Sequence, residues 1–158
     1  MIQATRAILA VLFLAFAMTA NAGKDAGKQE DDIGIKFYSY SSGVAADGYD
    51  VVAYFTEEKA VRGDEQYSVE WGDQVWHFAS EGNKEMFLKT PFNYAPEYGG
   101  HCAYGVAGGY LVRGDPRAWS VENGKLYLNY SANVRRTWRA ASDSYIVKSE
   151  ANWPKLNR

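Results

Sequence analysis

The sequence predicts a small single α+β domain, built of short antiparallel hairpins packed with about three helices. Three observations predict it. Apolar residues alternate with period two on either side of short glycine-containing turns. Two apolar helical runs begin after a serine able to cap them, Ser80 and Ser131. The length of 158 residues suits one domain with a real core and leaves no room for two independent catalytic domains.

The elements follow in order. Residues 1–22 carry one basic residue, Arg6, then an unbroken apolar run and Ala20-Asn21-Ala22. That is the layout of a secretory signal peptide, with cleavage expected near Ala22 and the mature chain in the periplasm or secreted. No stretch of the sequence approaches the ~20 apolar residues of a membrane span, so no membrane span is expected after cleavage. Residues 23–32, GKDAGKQEDD, read as a flexible tether, and the domain is expected over 33–158. Asp47-Gly48 marks a turn before DVVAYF, which has the content of a buried strand. Residues 67–71 and 74–79 flank Gly72-Asp73 as a hairpin, with Trp76 and Phe78 on one face and His77 on the other. Ser80 caps a short helix that Pro91 helps to end. HCAYGVA suits a helical turn or a buried strand equally. Residues 110–112, 119–122 and 125–129 read as short strands, the last two joined across Asn123-Gly124, and Asp115-Pro116 reads as a turn. Ser131 opens a helix to about residue 140, with Val134 and Trp138 on one face. A last amphipathic helix over 143–153 is expected to stop at Pro154.

Composition narrows the chemistry. The net charge is −2, and loss of Arg6 with the leader makes it more negative, so no nucleic-acid partner is expected. With Cys102 as the single cysteine, no intramolecular disulfide can form, and packing of 5 Trp, 12 Tyr and 7 Phe must supply stability. G-x-S-x-G, H-E-x-x-H, P-loop and dinucleotide motifs are missing, and no catalytic residue is assigned. The polar residues able to do chemistry are His77, His101 and Cys102. A thiolate and an imidazole together suit copper or zinc. Adjacent residues point in divergent directions, however, so His101 and Cys102 need a turn between them to share one ion. Asp50 reads as a turn or capping group. Tyr98 and Tyr104 beside the glycine-rich segment suit an aromatic binding cleft.

The segments GYDVVAYF (48–55), WHFASEGNKEMFLKTPFNYAPEYGGHCAYGVAGG (76–109), DPRAW (115–119), GKLYLNY (124–130) and ANWPKL (151–156) together resemble the secreted bacterial YHS domain-containing proteins. The resemblance runs from about residue 44 to 156. Classical YHS modules, similar to TRASH-type domains, carry thiolate metal ligands. The corresponding stretch here has Ala79 and Asn83 at the thiolate positions, and Gly99-Gly100-His101-Cys102-Ala103 stands out instead. The resemblance implies a periplasmic binding or accessory protein holding a transition metal, copper before zinc, through Cys102 with His101 or His77. The alternative is a metal-free module, binding a small ligand or a periplasmic protein through an aromatic cleft around Tyr98, His101 and Tyr104.

Overall fold

Gly72 and Asp73 both adopt left-handed backbone, with φ of 58° and 55°, the pairing that closes a two-residue hairpin turn with the right-handed twist of its strands. In this computed structural model, which describes residues 33–158, that turn joins β1 (Asp64–Trp71) to β2 (Gln74–Phe78) in an antiparallel pair. The signal peptide read over 1–22 and the tether read over 23–32 lie outside the described residues. Glycine is required at position 72 by packing as well as by φ, because a Cβ there would lie 2.7 Å from Ile33 Cδ1 and 2.9 Å from Phe37 Cε2. Trp76 and Phe78 are buried and His77 is half-buried on the opposite face, as the alternation predicts.

The DVVAYF segment is not a strand. Val51 and Val52 form a turn that leads into α1 (Ala53–Thr56). The cause is local: Asp50 Oδ1 accepts from Val52 N at 2.8 Å and Ala53 N at 3.3 Å, which wraps the chain into a helical turn. The apolar side chains are then buried all round, a pattern that a short run shares with a core strand.

Ser80 caps α2 (Glu81–Lys89) through Asn83 N, and Phe87 is its one buried residue. Pro91 does not simply end it. It opens α3 (Pro91–Tyr94) at the first helical position, where a missing N–H costs nothing. HCAYGVA resolves into an extended His101-Cys102 followed by α4 (Ala103–Ala107).

Residues 110–112 form no strand. Their backbone is tied by separate bonds, Tyr110 N to Gly105 O and Cys102 N to Val112 O, with a lone bridge between His101 and Arg113. Asp115-Pro116 is the start of β3 (Asp115–Glu122) rather than a turn, and a register shift after Asp115 accommodates the proline. β3 pairs antiparallel with β4 (Lys125–Asn129) across Asn123-Gly124. Ser131 caps α5 (Ala132–Arg139). The final helix, α6 (Ser142–Leu156), runs through Pro154. That proline lies in the last turn, so it removes only one bond from the ladder.

The result is a small α+β domain of two separate antiparallel hairpins. Among the described residues the three helices of eight residues or more are α2, α5 and α6, with one-turn helices filling the connections. Strand β4 divides the interior. Leu126 and Leu128 join Val51, Val52, Tyr54, Trp76, Phe78 and Phe87 in one core. Tyr127 faces a second core with Tyr98, Val106 and Trp138, closed over by α6. Each fully buried aromatic or aliphatic side chain contributes about 1.5–3 kcal/mol by leaving water. Among the described residues no helix is long and apolar enough to cross a membrane.

Candidate functional site

The glycine-rich segment turns sharply. Tyr98, Gly99 and Gly100 have φ of 57°, 60° and 80°, three successive left-handed residues that only glycine adopts without strain. Tyr98 bears that strain because its side chain is anchored: it is 4% exposed, and its hydroxyl donates to Glu150 Oε1 at 3.2 Å. The tight turn lets Gly99 O accept from Tyr38 N at 2.8 Å. Tyr40 donates to Gly114 O at 2.8 Å and lies within 3.3 Å of Gly100 O, pinning the segment from the other side.

After the turn, His101 (φ −69°, ψ 157°) and Cys102 (φ −61°, ψ 116°) are both extended, so their side chains diverge. His101 is 6% exposed and its ring lies against Tyr38 and Trp153. Its Nδ1 donates to Tyr98 O at 2.9 Å, which leaves Nε2 as its one ring nitrogen with a lone pair. Burial holds His101 below its usual pKa, against the Tyr98 carbonyl bond and with help from Lys36. Cys102, 1% exposed, points instead to the end of β4. Its Sγ accepts from Tyr130 N at 3.2 Å and lies 3.9 Å from Asn129 Oδ1. Asn129 Oδ1 also accepts from Tyr104 N at 3.3 Å.

His77 belongs to the other hairpin, paired with Ser68 and packed beside Gly48 and Gly63. The proposed donor set therefore does not fit a single ion: imidazole and thiol of the adjacent pair face opposite sides of one extended segment, and zinc bonds of ~2.0–2.3 Å allow no such spread. Among the described residues no three His, Cys, Asp or Glu side chains form a group able to hold a metal. Ala79 and Asn83 have another role. Asp50 Oδ2 accepts from Ala79 N at 2.8 Å and from Asn83 Nδ2 at 2.6 Å, so the buried Asp50 carboxylate ties α1 to the start of α2. Asp50 is the capping group that the sequence suggests, and a tertiary anchor as well. Tyr98 and Tyr104 are brought close to this region, but within packing: the Tyr98 ring lies against Tyr127 and Trp153, and the Tyr104 ring lies 5.1 Å from that of Tyr145.

An open groove lies elsewhere, between α1, β3 and α5, with a volume of about 520 Å³. Its floor is the half-buried Trp119, backed by the buried Tyr54 with the two ring centroids 5.0 Å apart. Tyr54 is fixed by donating its hydroxyl to Pro116 O at 2.8 Å. The wall is α5. Arg135 lies over the Trp119 ring, 5.4 Å from its centroid, and donates from Nε to the buried Ser120 Oγ at 3.2 Å. Arg139, one turn on, pairs with Glu122 at 3.6 Å. Burial first, and then Arg139, lowers the Arg135 pKa from the ordinary arginine value, against the pull of Glu122. No family model, curated protein or solved structure matches this chain.

The groove residues escaped the sequence reading, although a signal exists. A helix from Ser131 to residue 140 puts Arg135 and Arg139 four apart on one face, and Trp119 lies in the strand that this helix must cover. Arg135 is thereby half-buried beside Trp119, while Arg139, one turn on, is exposed.

Proposed function

We propose that the chain is a non-catalytic, small-ligand-binding module of the YHS type, acting in the periplasm or outside the cell, with the groove over Trp119 as its binding site. The leader-like residues 1–22 support export, and the ordered motifs of residues 48–156 support the family reading. The observation that carries the binding reading is the groove: an aromatic floor beside a few fixed polar groups, in the ~300–1,000 Å³ range of small-molecule sites. The opposite directions of His101 and Cys102 weigh against a copper or zinc centre built on Cys102.

One titration separates the two. Backbone amide shifts of the mature protein are mapped with a panel of small aromatic compounds of mixed charge, and again with Cu(I) and Zn(II). The binding reading expects shifts clustered at Tyr54, Trp119, Ser120 and Arg135, and no stoichiometric metal. Stoichiometric uptake of either metal that vanishes in Cys102→Ala, with ligand shifts scattered over the surface, reverses it.

A further inference from the structure

We infer that the groove selects small organic acids, binding a carboxylate at Arg135 and the apolar body of the same molecule on the half-buried Trp119, which the buried Tyr54 ring backs from beneath. This rests on the groove being the binding site and names what enters it. A guanidinium has five N–H donors in a fixed fork. In Arg135 one of them is spent on Ser120 Oγ, and that bond, with the Trp119 ring beneath, sets the plane of the fork. Among the described residues no carboxylate lies within ion-pair distance of Arg135, whereas its neighbour Arg139 is paired with Glu122.

The energetics point the same way. Arg135 and Arg139 are like charges at i and i+4, an arrangement that weakens a helix, and Arg135 is half-buried besides. Glu122 offsets Arg139 and acts on Arg135 only from beyond ion-pair distance, so a carboxylate seated on the half-buried Arg135 fork adds a pairing that the described residues do not supply. Glu58, the remaining acid of the groove, is exposed on its rim, where solvent and salt screen it. The deeper charge is therefore Arg135. A carboxylate matches a guanidinium fork through two parallel bonds, and an aromatic or branched apolar body covers the floor next to it. Bare phosphate would meet the fork but leave the floor wet.

The test uses the mature protein, with phenylacetate, its neutral isostere phenylacetamide, and inorganic phosphate as probes, read through the Trp119 indole N–H resonance. The expected result is that phenylacetate binds at least about tenfold more tightly than phenylacetamide and phosphate, and that salt narrows the gap. Arg135→Gln is expected to erase the preference and Arg135→Lys to keep part of it, since a lysine retains the charge without the fork. Arg136→Gln removes the same charge from an exposed position on α5 and is expected to leave the preference intact. Because the three probes are compared on the unaltered protein, the inference stays testable if Arg135→Gln folds poorly. Equal binding of phenylacetate and its amide at the groove overturns the acid selectivity and leaves the groove as the site. Phosphate binding as tight as phenylacetate overturns the role of the floor. Absence of any shift at Trp119 with all three probes overturns the inference together with the reading beneath it.

Discussion

His101 shows how one residue's surroundings become a property of the whole protein. Its ring is enclosed by Tyr38, Tyr98 and Trp153, and that burial lowers its pKa in the folded chain. The unfolded chain therefore takes up a proton near the ordinary value of about 6.5, which the folded chain declines until lower pH. The stability tied to His101 is complete above that value and falls as pH drops through it, until the folded imidazole protonates too. Glu97 acts in the opposite sense at lower pH, because burial raises its carboxyl. We expect the drop in urea midpoint between about pH 7.5 and about pH 5 to be smaller in His101→Gln than in the parent. Equal drops would show that the buried imidazole is not the group being titrated. At this scale the sequence was half legible. Alternation alone says that His101 and Cys102 diverge, and the structure agrees. The left-handed Tyr98 is hidden, because nothing in a tyrosine announces positive φ; its cause is the distant anchor on Glu150.

Among the elements, the two hairpins were legible because their turns carry the needed residues: Asn123-Gly124 and Gly72-Asp73 occupy left-handed backbone in order. The segment at residues 50–55 was not, since what bends it is a carboxylate whose other oxygen bonds to Ala79 and Asn83, far along the chain. Glycine separates local from tertiary demands in the same way. At Gly124 a Cβ would meet open space, while at Gly99 it would lie 2.3 Å from Lys36 O. Both positions have positive φ, so alanine at either costs about 1–2 kcal/mol in backbone strain. Only at Gly99 must the segment bonded through Tyr38 N move away as well. Gly99→Ala is thus expected to lower the melting temperature clearly more than Gly124→Ala. Equal losses in a thermal melt would mean that the segment from residue 33 to 40 yields freely and does not hold the turn.

The molecule as a whole is organised by β4, whose alternation sends Leu126 and Leu128 into one core and Tyr127 into the other. A strand with two buried faces carries a continuous apolar run, here Leu-Tyr-Leu between Lys125 and Asn129, but the sequence reads it only as one strand of a hairpin, and its central place emerges from the packing. The division of labour around it was not legible either, since it depends on α6 folding back over α4 and covering the second core, with Ser149 donating to Ala103 O at 3.1 Å and Asn152 to the carbonyls of Val106 and Ala107. Two cores that share one strand cannot melt independently unless the strand itself splits its contacts. Leu128→Ala removes side-chain volume from the first core alone, with a typical cost of about 2–5 kcal/mol. Because Leu128 also pairs with Cys102 through the backbone at the entry to α4, the loss is expected to reach the second core undiminished. Hydrogen exchange makes this measurable: in Leu128→Ala the slowest amides of β1 and β2 and those of α6 should lose protection by the same free energy. Loss confined to the β1–β2 hairpin, with α6 as protected as before, would instead identify the α4–α6 half as a separate folding unit that β4 merely borders.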